Sequence, residues 1–234
     1  MKNIFGRIII LLLISFSTLP SISEAQVQPH GIFISPLNDL LMLSHKLTSN
    51  YGMAIILMTV FLRLMLSPLQ YISQKTMRKM NGIQPQIKLI KEKFKNDPEK
   101  VQKETLNLFK EKSVNPLMGF LPTLLQMPLF FALYKLLRVS PNIVGANFIG
   151  WLTDLSLPDH LYILPILAGL IQLAVMYYSS RESHEQKIAG KFQVVMSAVF
   201  TGVMLKMPVA LLLYTITSSV SSLIEKGVIN KFIS

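Results

Sequence analysis

Apolar residues fall into five blocks, at about 51–70, 116–138, 161–178, 192–206 and 208–225, separated by segments that hold nearly all the charge. Continuous blocks of this length predict helices of ~20 residues, the number that crosses a hydrocarbon layer about 30 Å thick. The last two blocks are parted only by Lys206-Met207-Pro208, where a proline behind a lysine predicts a tight turn at a membrane face. Ahead of the first block, Ser35 at an N-cap position and Pro36 at N1 precede Leu37, Leu40, Leu41 and Ser44 at helical spacing. That pattern predicts an amphipathic helix lying on the outer surface.

The segment between the first two blocks is polar but periodic. Ile83, Ile87, Ile90 and Phe94 recur on one helical face, and Val101, Thr105 and Leu108 on another. Between them Asp97 reads as an N-cap, with Pro98 at N1 and Glu99 favourable to the helix dipole. Residues 83–112 are therefore expected to form a basic helical hairpin. Pro85 is expected to separate it from the first span, with Gly82 permitting the bend.

At the N-terminus, Lys2 and Arg7 precede the apolar Ile8–Ile14, and Ser23-Glu24-Ala25 offers small residues before a cut. Residues 1–25 read as a signal peptide, an uncleaved anchor being the alternative, and 26–50 as an external segment. Composition fits a membrane protein, with 51% hydrophobic and 15% charged residues. Cysteine is absent, which excludes disulfides, thiolate metal sites and a lipoprotein anchor. Charge sorts the loops: 71–112 holds eleven Lys and Arg against five Asp and Glu, whereas 139–160 holds two Asp and no Lys or Arg. The positive-inside rule places 71–112, 179–191 and the tail 226–234 in the cytoplasm, with 26–50 and 139–160 outside. The expected fold class is an all-α membrane protein, a five-transmembrane-helix bundle over 51–225 with a cytoplasmic helical hairpin and an external amphipathic helix.

Arg63 lies inside the first apolar block. A charge at that depth costs roughly 2.5–3.5 kcal/mol on insertion scales and needs a compensating environment. Every Asp and Glu lies in a loop or near a chain end, so no acidic partner is expected within the spans. Gln126 and Gln172 are the polar groups that can face it, and they cannot neutralise it. The expectation is a hydrated groove kept positive, with snorkelling toward the cytoplasmic end near Gln70 as the alternative. Hydroxyls of the last block, Thr215, Thr217, Ser218, Ser219, Ser221 and Ser222, either bond back to the preceding turn or line a site. Lys88, Lys91, Lys95 and Lys103 of the hairpin either solvate its face and enforce topology or attract anionic lipids, ribosomal RNA or an acidic protein. No RNA-binding motif or aromatic platform is present, so specific nucleic-acid readout is not expected. Trp151 reads as an interfacial anchor. The histidines at 30, 45, 160 and 184 are scattered, and no Ser/Lys dyad occurs in the spans, so neither a metal site nor an enzyme is expected. A small-solute transporter would also hold an arginine in a wet cavity but normally shows internal repeats. A membrane assembly scaffold would need no deep charge.

Several motifs in order carry a resemblance. Asn50-Tyr51-Gly52 opens the span containing Arg63. Met80, Gln84-Pro85 and Ile87-Lys88 follow, then Asn115-Pro116-Leu117 and Leu121-Pro122-Thr123-Leu124-Leu125-Gln126-Met127-Pro128. Asp154-Leu155-Ser156 precedes Tyr162–Gly169, and Met207-Pro208 leads to Tyr214. Over about 31–225 the chain resembles the YidC/Oxa1/Alb3 membrane-insertase family, in particular its short bacterial members. The resemblance implies a bacterial plasma-membrane insertase and chaperone with five spans and no cofactor. Its groove would be open to cytoplasm and lipid and closed outside. Arg63 would attract acidic or polar parts of the entering tail, with Gln126, Gln172 and Thr215 lining the groove. Implied partners are nascent membrane proteins, the ribosome, the signal recognition particle receptor and the Sec translocon. The last span departs from the family pattern: Pro208-Val209-Ala210 stands where a small pair containing glycine is usual, and Thr215 where an aromatic is usual.

Overall fold

Hydrophobic periodicity becomes helix throughout the computed structural model, which describes residues 34–180 and 186–233. Among the described residues there are seven helices. They are α1 (Ile34–Thr48), α2 (Tyr51–Lys93), α3 (Pro98–Glu111), α4 (Pro116–Val139), α5 (Ile163–Ser180), α6 (Gln186–Met204) and α7 (Val209–Ile233). By length and composition α2 and the stretch Pro116–Leu137 of α4 can cross a membrane, and Ile163–Tyr178 is a shorter apolar helix. The expected signal peptide and the first part of the expected external segment, residues 26–33, lie outside the described residues.

The largest departure from expectation is α2. Instead of breaking at Gly82 and Pro85 between the first span and the hairpin, it runs unbroken for 43 residues with Pro68 and Pro85 inside it. At 1.5 Å per residue that is about 65 Å, roughly twice the hydrocarbon thickness. Proline deletes one backbone donor but does not oblige a helix to end. At Pro68 the carbonyl left without its partner is that of Leu64, and the Ser67 hydroxyl donates to it at 2.8 Å. Beyond Pro85, packing holds the helix: Ile83 and Ile87 are buried with Leu108 and Val114, and Met80, Ile90 and Phe109 close the cluster. The hairpin therefore exists, but its first arm is the C-terminal part of α2.

Caps fix the remaining ends. Asp97 accepts from the Lys100 amide at 3.0 Å, with Pro98 at the first position of α3, and Asn115 does the same for Leu117 ahead of Pro116 in α4. Asn50 accepts from Met53 at 3.1 Å and donates to the Phe148 carbonyl, tying the start of α2 to the 140–162 loop. Ser35 lies inside α1 rather than capping it, since Ile34 is already helical. The expected apolar face is nonetheless the buried one, through Leu37, Leu41 and Ser44.

α2 packs on α1, α3, α4 and α7, and α7 packs on α2, α4 and α5, while α1 also lies against α4 and α6 pairs with α5. The α5–α6 contact depends on a small residue. A Cβ on Gly169 would collide with the Thr201 side chain, and Ser197 donates to the Gly169 carbonyl at 2.9 Å.

One end of the bundle is closed by the 140–162 loop. Its Leu155 and Leu157 carbonyls accept from the Ala210 and Val209 amides at 2.9 Å each, supplying partners for the open first turn of α7. Asp159, 1% exposed, accepts from the Trp151 indole and from the Leu161 and Leu164 amides. It thereby anchors the start of α5. Trp151, expected only as an interfacial anchor, also serves this internal bond.

Candidate functional site

A cavity of about 480 Å³ opens among α2, α4, α5, α6 and α7. Its deep wall carries Gln126 and Phe130 of α4 and Tyr214 of α7, and its other end reaches Gln70, Asn81 and Lys226 at the basic end of the bundle. All four residues singled out for a groove, Arg63, Gln126, Gln172 and Thr215, line it. They come from four different helices, so only the tertiary fold brings them together.

Arg63 points into this space instead of along the helix toward the surface. Its Nε and Nη2 donate to the Ser218 hydroxyl at 2.9 and 2.5 Å. Both nitrogens of one edge of the fork are thus fixed by α7, a geometry a lysine cannot reproduce. Gln126 donates from Nε2 to the Tyr214 hydroxyl, which also interacts with Ser218. A continuous polar path therefore runs from α4 through Tyr214 and Ser218 of α7 to Arg63 of α2. Thr215 spends its hydroxyl on the Leu211 carbonyl one turn back, at 2.8 Å, and presents the rest of its side chain to the cavity.

The expectation of an arginine without an acidic neighbour is not met. Glu225 Oε2 lies 3.8 Å from Arg63 Nη1, and both side chains are 14% exposed. Glu225 is the last residue of the fifth apolar block, and at two helical turns from Ser218 it shares that residue's face. Side chains on a helix lean toward its N-terminus, so Glu225 extends back toward Ser218 and the guanidinium. The i, i+4, i+11 spacing of Tyr214, Ser218 and Glu225 was the signal that could have found this partner. Arg63 therefore has a carboxylate beside it, while the described residues lining the cavity include Arg63 and Lys226 and no acidic side chain.

Lys88, Lys91, Lys95 and Lys103 are all exposed on the hairpin and take no part in the cavity. Lys93 and Lys100 place their Nζ atoms 5.3 and 5.4 Å from the centre of the Phe94 ring at the turn.

Comparison with known proteins places this arrangement. Residues 43–234 match the family described as 60Kd inner membrane protein. The chain is 37% identical over 204 residues to the membrane protein insertase YidC of Geobacter sulfurreducens, covering 87% of this chain and 38% of that one. It is 37% identical over 218 residues to the protein of the same name from Wolinella succinogenes, covering 92% and 40%. Among solved structures, that of an active YidC insertase with its first transmembrane domain resolved superposes with a TM-score of 0.63 at 28% identity, over 90% of this chain and 48% of the other. The chain thus spans about two-fifths of the length of these curated relatives. A helical bundle closed at one end, with an arginine on a polar path inside it, is joined here to a family match over most of the sequence: the chain belongs to the YidC/Oxa1 family of 60Kd inner membrane proteins.

Proposed function

We propose that this protein is a non-enzymatic membrane protein insertase, with α1 on the outer surface and α2, α4, α5, α6 and α7 as five spans. The cavity holding Arg63 receives the polar tail of a substrate segment from the cytoplasm. The single observation that carries this reading is the cavity itself, a polar recess inside a bundle of apolar helices. It is joined on the outside by wide apolar faces: Leu64, Leu124 and Leu170 are each about 60% exposed, which suits lipid and not water. Positive charge at the hairpin end and its absence from the 140–162 loop support an orientation with the cavity mouth inward and the loop as the outer plug.

The mechanism is electrostatic and steric. A hydrated recess shortens the hydrophobic barrier, and the guanidinium gives an acidic or polar tail a temporary partner in a medium where charge interactions are strong. The attached apolar segment then leaves sideways into lipid. The exposed lysines of the hairpin offer a first contact to nascent chains, anionic lipids, the ribosome or targeting machinery.

Depletion of a host's own insertase, followed by complementation with wild type and with Arg63→Ala, tests the reading through integration of a small single-span substrate. Rescue by wild type alone supports an insertase that uses the buried charge. Rescue by neither, with both chains present in the membrane, favours a transporter or a scaffold.

A further inference from the structure

Resting on the insertase reading, we propose that Glu225 is the resident occupant of the Arg63 recess, a built-in carboxylate that an incoming acidic tail must displace. Glu225 thereby sets how acidic a substrate tail must be to engage. Three observations on one side-chain pair carry this. First, the 3.8 Å separation is an electrostatic contact, too long for the charge-assisted hydrogen bond that two such groups form when optimally placed. Second, Glu225 Oε2 is buried and accepts no hydrogen bond, a state that carries an uncompensated desolvation cost. Third, Arg63 turns Nε and Nη2 to Ser218 and leaves Nη1 as the nitrogen facing Glu225. The pair is held together by burial but is poorly bonded, which is the condition for exchange. A carboxylate entering from the cavity can make the close contact at Nη1 that Glu225 does not.

A purely structural pair would behave differently, and the difference is a ratio. Wild type, Glu225→Gln and Glu225→Asp are reconstituted into lipid vesicles. Insertion is measured for one single-span substrate with an acidic outer tail and for the same substrate with those acids changed to amides. The proposal expects Glu225→Gln to raise insertion of the acidic-tailed substrate by about two- to fivefold, the range of one weak ion pair, and to leave the amide-tailed substrate unchanged. Glu225→Asp, with the charge kept and the reach shortened, should lie between. A ratio that stays at the wild-type value in Glu225→Gln, or an equal fall for both substrates, overturns the proposal. If wild type inserts neither substrate above empty vesicles, the insertase reading fails and this proposal with it, an outcome distinct from an unchanged ratio.

Discussion

Arg63 makes its contacts through geometry as well as charge, and variants separate the two. Arg63→Lys keeps a cation in the recess but loses the two-nitrogen grip on Ser218. It is expected to retain most insertion of acidic-tailed substrates. Arg63→Glu should lose it, and equal insertion by that variant would show the electrostatic account to be wrong. Arg63→Ala does more than remove a charge, because it leaves Glu225 buried without its cation. The loss is on the order of 1–3 kcal/mol, so thermal stability in detergent should fall and recover in the Arg63→Ala, Glu225→Gln double variant. An unchanged midpoint in Arg63→Ala would mean that the pair contributes nothing to the fold. At this scale the sequence was legible for each polar group alone. Arg63, Gln126 and Gln172 stood out by type and depth, Thr215 only through the family resemblance, and all four line one cavity. The Glu225 contact was hidden because its position at the end of an apolar block looks like a loop position until the face it shares with Ser218 is considered.

Elements add tests of how the frame is held. Gly169→Val drives a branched side chain into Thr201 and should loosen the α5–α6 pair by about 1–3 kcal/mol, read as a lower detergent melting temperature. Asp159→Ala removes the acceptor from one indole and two amides in a buried place and should cost about as much. Asp154 adds a pH dependence. Partial burial alone would raise its pKa, but hydrogen bonds from the Ser156 hydroxyl and amide and from Gly145 outweigh that and hold it below the ordinary 3.8. A depressed carboxylate contributes stability that is complete above its unfolded value and is lost as pH falls through the lower folded one. The acid-induced fall in melting temperature below about pH 4 should therefore be smaller in Asp154→Asn than in wild type, and an identical fall would assign the loop's stability elsewhere. Helix existence was readable from periodicity. The continuity of α2 was not, since proline and glycine weaken a helix locally, while the packing of Ile83 and Ile87 on Leu108 and Val114 that preserves it is tertiary.

On the scale of the whole molecule, an end covered by the 140–162 loop, a polar cavity and exposed apolar faces belong to one helical bundle. The apolar blocks made the all-helical makeup legible, whereas the packing of α7 on α2, α4 and α5 depends on contacts between helices far apart in sequence. The central claim is that a substrate's polar tail enters the cavity while its apolar segment faces lipid. The most direct measurement places a photo-crosslinker in the outer tail of an acidic-tailed substrate arrested during insertion and maps the sites it reaches. Adducts at cavity residues such as Gln172 and Thr215, weakened in Arg63→Glu, are the predicted result. Adducts confined to the exposed outer faces around Leu124 and Leu170, unaffected by that charge reversal, would contradict it.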